Sequence, residues 1–353
     1  MKKLLICGGA GYIGSHCVRV LRGAGYECVI YDNLSEGHRE AVEGVALVEG
    51  ELADTARLCE TIKRFEIDSV MHFAAFALVG VSMREPISYY KNNIGGTISL
   101  LEAMRETNVN RIVFSSTCAT YGENVPVPIT ETVPQEPCNP YGESKLAVEN
   151  LLRRCDGAYG IKSVSLRYFN AAGAMPDGSI GEDHRIETHL IPLVLREAAS
   201  QWSVVSGQWS EIGDRGTGGN GAVKVFGVDY PTRDGSCVRD YVHVLDLALA
   251  HLAALRYLEG SGETDFFNLG TGNGSSVLEV IETAREVTGI DIAYEIADRR
   301  PGDPASLVAS AEKAKSVLGW VPERSDLRTI VSDAWAWHKS HPNGYRRLSD
   351  RQR

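Results

Sequence analysis

The sequence predicts an α/β protein: a doubly wound parallel sheet followed by a smaller C-terminal α/β domain. Three observations carry that prediction. Short apolar runs alternate with helix-length segments through the first half of the chain. A glycine-rich turn joins the first run to the first helical segment, and after about residue 170 the alternation gives way to polar, irregular sequence. Strands that alternate with helices pair in parallel, because each crossover returns the chain to the same end of the sheet.

Taken in order, Leu4–Cys7, Glu27–Tyr31, Val45–Val48 and Ser69–Phe73 read as buried strands, and Arg111–Phe114 and Lys162–Arg167 read the same way. The helical segments between them are Ser15–Ala24, Thr55–Phe65, Asn93–Thr107 and Ser144–Tyr159. Residues 1–170 therefore form the first domain. Residues 171–345 form mainly the second, with some segments free to return to the first. Within the second half, 171–187 is irregular and His189–Ala199 has a helical apolar pattern. Residues 200–222 carry two tryptophans and then Gly213, Gly216, Gly218, Gly219 and Gly221, which predicts a long flexible surface insertion. The charged end, 346–353, is expected to fray.

Thirty-six Lys and Arg against 46 Asp and Glu leave a net charge of −10, which excludes a nucleic-acid binder relying on a basic surface. No apolar run approaches the ~20 residues of a membrane span, and glycines interrupt the N-terminal run too early for a signal peptide. The eight cysteines are scattered with no CxxC pair, so no metal site is expected and the thiols are expected to be free in the cytoplasm.

The first strand runs directly into Gly8-Gly9-Ala10-Gly11-Tyr12-Ile13-Gly14 and then a helix. Glycines suit a sharp turn, close approach to a pyrophosphate, and tight packing of helix on strand, while the helix start offers N–H groups to phosphates. The next strand ends at Asp32, eighteen residues after Gly14, placed to accept hydrogen bonds from an adenosine ribose. A carboxylate there repels a 2′-phosphate. This is a Rossmann-type dinucleotide site favouring NAD over NADP.

The strand at Arg111–Phe114 ends in Ser115-Ser116-Thr117, and twenty-four residues after Thr117 comes Tyr141-Gly142-Glu143-Ser144-Lys145. Positions 141 and 145 are one helical turn apart on one face. A phenol with its usual pKa near ~10 is a poor base at neutral pH. A neighbouring ammonium and a positive nicotinamide ring favour the phenolate, and the Thr117 hydroxyl can bond the same substrate oxygen.

With Gly8-x-x-Gly11-x-x-Gly14 and Tyr141-x-x-x-Lys145, the chain resembles the extended short-chain dehydrogenase/reductases, and among them the UDP-glucose 4-epimerases. Asp32-Asn33-Leu34, His72-Phe73-Ala74-Ala75, Tyr89-Tyr90-Lys91-Asn92-Asn93, Arg167-Tyr168-Phe169-Asn170, Phe226 to Thr232, Val238 to His243 and Arg299 to Asp303 extend the resemblance to about residue 345. It implies inversion at C4 of a UDP-hexose through a transient 4-keto sugar, with NAD held tightly. Tyr141 is then the base, Lys145 its cationic neighbour on the nicotinamide ribose, and Thr117 the partner hydroxyl.

The same resemblance implies NAD contacts from Gly8, Gly11, Tyr12, Ile13 and Gly14, and from the loop Asp32, Asn33, Leu34, Ser35, Glu36 and Gly37. Glu51 and Leu52 fall beside the adenine, where relatives carry Asp and an aliphatic residue. Phe73, Ala74, Ala75, Phe76, Ala77, Asn92 and Phe169 complete the set, with Ala77 replacing a Lys of some members. The UDP-sugar falls to Tyr168, Asn170, His189, Leu190, Phe226, Arg239, Arg299 and Asp303. Arg239 and Arg299 suit it because guanidinium forks match phosphate oxygens. Ser306 stands where a bulky residue excludes N-acetylated sugars, if one residue is deleted relative to members with Tyr there; without that gap the wall falls to a neighbour, Ala305 or Leu307. A homodimer through helices near 93–107 and 142–155 is also implied.

Two rival readings remain at this point. A nucleotide-sugar 4,6-dehydratase or decarboxylase shares the scaffold, but a dehydratase needs acidic residues beside Thr117, where this chain has Cys118 and Ala119. A catalytically inactive NAD-binding regulator has no need of Thr117, Tyr141 and Lys145 together. His72 reads as a satisfied core histidine, Trp335 and Trp337 as packing, and Cys118 as a small buried hydrophobe.

Overall fold

A computed structural model describes residues 1–123, 125–206, 222–300 and 303–345. Its centre is a seven-stranded parallel sheet whose first six strands follow the predicted runs: β1 (Lys3–Cys7), β2 (Glu27–Asp32), β3 (Ala46–Glu49), β4 (Ser69–His72), β5 (Arg111–Ser115) and β6 (Lys162–Tyr168). The spatial order from one edge is β6-β5-β4-β1-β2-β3, with the strand Asp265–Leu269 added outside β6. That seventh strand comes from the second half of the chain. It returns after the helix Val244–Glu259, which packs directly against α1 (Tyr12–Gly23) on one face of the sheet. The central strands are buried on both faces, and two apolar cores lie against the two faces.

The chain order reverses between β1 and β4, and the crevice beyond their carboxyl ends is where open α/β sheets bind ligands. A third apolar cluster, from Ala172 to Trp335, forms the core of the second half. Two two-stranded sheets, Asn170–Ala172 with Tyr241–His243 and Val223–Phe226 with Tyr294–Ala297, contribute to that core, while Ser306–Leu307 runs beside Val238–Arg239 in a separate three-stranded sheet.

Several boundaries differ from the sequence expectation. Helix α1 starts at Tyr12 rather than Ser15, so the last glycine of the turn is already helical. The helix expected from Ser144 starts at Pro140, with proline in its first turn and the Asn139 side chain accepting from the Gly142 N–H. Tyr141 and Lys145 thus share one helix. The helix expected over His189–Ala199 runs Leu190–Ser206, so the first part of the 200–222 insertion is helical. Its remainder to residue 221, and the tail 346–353, lie outside the described residues.

All eight cysteines are free, and only Cys138 is exposed. His72 is buried with Nε2 2.9 Å from Thr97 Oγ1, although its Nδ1 has no partner. Trp335 and Trp337 pack in the core, and Cys118 is buried with its thiol pushed up by burial.

Candidate active site

The glycine turn is built for close approach. Gly8 has φ +77°, and a Cβ on Gly14 would lie 2.2 Å from the Gly8 carbonyl oxygen. Helix α1 therefore begins directly against the end of β1. Its start has no side-chain cap and no acid in its first turn, so its N–H groups are available to an anion. Asp32, at the end of β2, is buried and accepts from the Ala10 N–H at 2.9 Å and the Leu34 N–H at 2.9 Å. Burial raises its carboxyl, and those two hydrogen bonds pull it down. Each oxygen keeps a lone pair beyond these bonds, so the carboxylate can accept further hydrogen bonds.

The loop 33–37 follows from there. Asn33 Oδ1 accepts from the Ser35 N–H and hydroxyl, while its Nδ2 donates to Glu51 Oε2 at 3.0 Å. The longer acid at position 51 is thus held by Asn33. Leu52 packs against Gly96, and Phe73 to Ala77 form the loop after β4. Asn92 lies next to the residue that fixes this loop. Buried Asn93 accepts from the Phe76 N–H and donates to the Phe76 carbonyl and Ser144 Oγ, each near 3 Å. Asn93 ties the loop after β4 to the Tyr141 helix, and sequence reasoning passed over it for its neighbour. The fit of an NAD to this cradle rests on the uncapped helix start, the buried Asp32 and the tight glycine turn.

At the ends of β5 and β6 the structure gathers Thr117, Tyr141, Lys145 and Tyr168. Lys145 Nζ donates to the Ser115 carbonyl at 2.8 Å and lies 5.9 Å from the Tyr141 ring centroid. Burial lowers the Lys145 ammonium to about 7, with the Glu149 charge working upward. Burial pushes the Tyr141 phenol up to about 12, and its hydrogen bond with Thr117 pulls it down. Burial is the larger influence on the phenol, Thr117 supplies an opposing bond, and Lys145 stands one turn away as the expected cationic neighbour. The Tyr168 hydroxyl and Ser115 Oγ are 2.5 Å apart, and Thr117 Oγ1 reaches the Tyr168 carbonyl at 3.4 Å.

Opposite this corner, Arg239 pairs with Asp303 and donates to the Pro304 carbonyl at 3.0 Å. Arg299 pairs with Asp229 at 2.7 Å and lies 4.1 Å from the Tyr230 ring centroid. Phe226 carries the Arg300 guanidinium over its ring at 3.8 Å, a contact the sequence did not point to. Asn170 and Phe169 follow β6, and the Asn170 N–H donates to the Asp240 carbonyl at 3.2 Å.

Ser306 and Leu307 form a two-residue strand, so their side chains take opposite faces. Leu307 packs against the cluster of Cys118, Tyr121, Ile129 and Ala309, in which Cys118 directly follows Thr117. That placement puts Leu307, rather than Ser306, on the side of the Thr117 corner. The expectation that gave Ser306 the wall rested on a one-residue gap, and strand alternation favours the ungapped position.

His189 and Leu190 lie at the start of the helix Leu190–Ser206. His189 belongs to a cluster absent from the sequence reading. Its Nδ1 is 2.8 Å from Glu182 and 3.1 Å from Glu187, and His184 Nδ1 is 3.2 Å and 3.3 Å from the same acids. Burial works against charge on the two imidazoles, but the carboxylates outweigh it and raise His184 to about 9 and His189 to about 10. The four donor atoms lie within 4.8 Å of one another, a spacing that could also hold a metal ion. The His184 ring meets Tyr12 of the glycine turn edge-on at 6.3 Å, and Arg185 donates to the Leu34 carbonyl. Segment 182–189 therefore bridges the second half of the chain to the cofactor loops. Histidines spaced among glutamates in 182–189 were the available signal.

Comparison with known proteins agrees with this geometry. Residues 4–270 match the NAD dependent epimerase/dehydratase family, and residues 215–333 match the GDP-mannose 4,6 dehydratase family. A UDP-glucose 4-epimerase of Halalkalibacterium halodurans is 51% identical over 342 residues, covering 97% of each chain. A crystal structure of a UDP-glucose 4-epimerase superposes with a TM-score of 0.91 at 49% identity, over 98% of this chain and 100% of that one. The Brucella ovis UDP-glucose 4-epimerase, solved in complex with NAD, gives a TM-score of 0.88 at 44% identity, over 96% and 98% of the two chains.

Proposed function

The chain belongs to the NAD dependent epimerase/dehydratase family, among its UDP-glucose 4-epimerases, and from that premise we propose how its residues invert C4 of a UDP-hexose. The enzyme is an NAD-dependent isomerase that interconverts UDP-galactose and UDP-glucose. The observation that carries this reading is half-buried Tyr141 and buried Lys145 one turn apart on one helix face, with Thr117 beside the phenol. When bound, NAD supplies a nicotinamide that accepts the C4 hydride and gives it back. Tyr141 Oη takes the proton of the sugar 4-hydroxyl and later returns it to the keto oxygen. Thr117 Oγ1 orients that oxygen, and the Lys145 ammonium offsets the phenolate charge.

The glycine turn and Asp32 hold the dinucleotide. Arg239 and Arg299 suit the UDP diphosphate, and His189 and Asp303 hold the UDP-sugar with them. Phe226, Tyr168, Asn170 and Leu190 line the nucleotide-sugar cleft. Cys118 and Ala119, beside Thr117, offer no acid for elimination, which speaks against the dehydratase reading. The direct test is conversion of UDP-galactose to UDP-glucose without added reductant. Accumulation of NADH in proportion to product would identify a dehydrogenase instead.

Leu307 is smaller than the tyrosine that closes the pocket around C2 in some relatives, so UDP-N-acetylglucosamine and UDP-N-acetylgalactosamine should be accepted. Leu307→Tyr should suppress N-acetyl turnover by about tenfold or more while sparing UDP-galactose, the scale of one added pocket group. Ser306→Tyr is the paired control. If it alone abolishes N-acetyl activity, the gapped alignment is the right one.

The partner is a second copy of the chain. Val79, Met83, Ile87, Tyr90 and Ile98 are exposed on neighbouring short helices beside the Tyr141 helix, an apolar grouping that a monomer rarely leaves in water. Sedimentation should report twice the chain mass, and Ile87→Asp should shift it to a monomer. No helix among the described residues is long and apolar enough to cross a membrane, and we place the enzyme in the cytoplasm.

A further inference from the structure

We infer that Glu149 and Arg167 are positioning residues, whose buried ion pair fixes the Thr117 corner and the Lys145 anchor against the Tyr141 helix. The proposal rests on the epimerase reading above. Glu149 lies on the same helix as Tyr141 and Lys145, two turns and one turn further on, so all three occupy one stripe. It is 3% exposed, and Arg167 on β6 is 1% exposed.

Every oxygen of the Glu149 carboxylate is used. Oε1 accepts from Arg167 Nε at 2.9 Å and Ser116 Oγ at 2.5 Å, while Oε2 accepts from Arg167 Nη2 at 2.5 Å and Gln135 Nε2 at 3.3 Å. The remaining arm of the guanidinium, Nη1, donates to the Tyr121 hydroxyl at 2.7 Å, which donates to Asn268 Oδ1 at 2.7 Å. Phe266 caps the guanidinium plane at 4.2 Å. A fork that saturates both oxygens holds one geometry, unlike a point charge.

What this pair locks is the reacting corner. Ser116 sits between Ser115, whose carbonyl accepts from Lys145 Nζ, and Thr117, whose hydroxyl bonds Tyr141. Arg167 directly precedes Tyr168, whose carbonyl Thr117 reaches and whose hydroxyl meets Ser115. Ion-paired groups so deeply buried are a poor means of stabilising a fold, since apolar residues of like volume do as well or better. Their value here is geometric and electrostatic: Glu149 is the carboxylate that works against burial to favour the charged form of Lys145.

The groups facing Lys145 from other elements are few. His72 on β4 is kept neutral, pushed down to about 3 by burial and by Lys145 itself. Phe114 and Ser115 on β5 bring no charge to Lys145, while Tyr89, Cys118 and Tyr168 act on Tyr141, the Tyr89 hydroxyl being bonded to the Leu78 carbonyl. Removing the Glu149 charge should therefore lower the pH at which Lys145 loses its proton.

The test compares wild type, Tyr141→Phe, Glu149→Gln and the double variant Glu149→Met/Arg167→Met for UDP-galactose epimerisation across pH. Bound NAD and melting temperature are measured on the same preparations. Glu149→Gln should lose about tenfold or more in kcat with KM within about twofold, the split expected when a transition-state interaction is lost. Its alkaline limb should move to lower pH. The double variant should lose a similar factor in kcat while melting near wild type and retaining NAD, which a merely structural role would not produce. Wild-type kcat and pH profile in both variants overturn the proposal. So does a fall in kcat that only tracks the fraction of protein folded and NAD-loaded. A wild type that does not epimerise UDP-galactose at all overturns the functional reading, and this proposal with it.

Discussion

Tyr141→Phe is expected to reduce kcat by about 10²–10⁴-fold, the range in which positioned acid–base groups contribute, or about 3–5 kcal/mol of barrier. The substitution removes one oxygen and keeps the ring, which is half-buried on the helix Pro140–Tyr159. The lost hydrogen bond to Thr117 is internal to the site, so melting temperature should change little and bound NAD should persist. The sign of the pH dependence follows from the same phenol. Burial holds it high, so the variant that lacks it should also lose the rise of activity with pH on the acid limb. Turnover within about tenfold of wild type would reassign the base.

Gly14→Ala is expected to have the second large effect, on the cofactor rather than the chemistry. The new methyl would lie 2.2 Å from the Gly8 carbonyl oxygen and 2.8 Å from the Gly9 Cα, both backbone atoms that cannot swing away. Helix α1 must then lift from the end of β1, and the N–H groups meant for the pyrophosphate move with it. Overpacking of this kind costs about 1–3 kcal/mol, and taken from cofactor affinity it weakens NAD about 10–10²-fold. The variant should purify largely without NAD, whereas wild type should carry it. Gly23→Ala, in the same helix with nothing within 4 Å of the added carbon, should retain the cofactor. Equal NAD content in both variants would show that the turn tolerates displacement.

How much of this was legible in the sequence depends on range. The central strands were readable because parallel strands buried on both faces spell continuous apolar runs. The glycine turn and the Tyr141–Lys145 spacing were readable because one local geometry dictates each. The strand Asp265–Leu269 was not placed, because its neighbour in the sheet, β6, lies some hundred residues earlier in the chain. Glu149 stood one turn beyond Lys145 in plain view, yet a lone acid on a helix reads as a solvated charge until Arg167 is brought to it. Asn93 was hidden likewise beside the more conspicuous Asn92. The Glu182–His184–Glu187–His189 cluster needs the 182–189 segment to fold back on itself before its charges meet. Leu307 was passed over for Ser306 because alternation in a two-residue strand is invisible without its partner, Val238–Arg239.

The central claim is that one chain removes a hydride from C4 and returns it to the same sugar on the other face. The most direct measurement is conversion of UDP-galactose labelled with deuterium at C4, in ordinary water and with no added cofactor, followed by mass spectrometry of the UDP-glucose formed. The account predicts UDP-glucose that retains the deuterium at C4 in full, with no net accumulation of reduced nicotinamide. Loss of the label to solvent, or product formed only in step with added NAD, would contradict it.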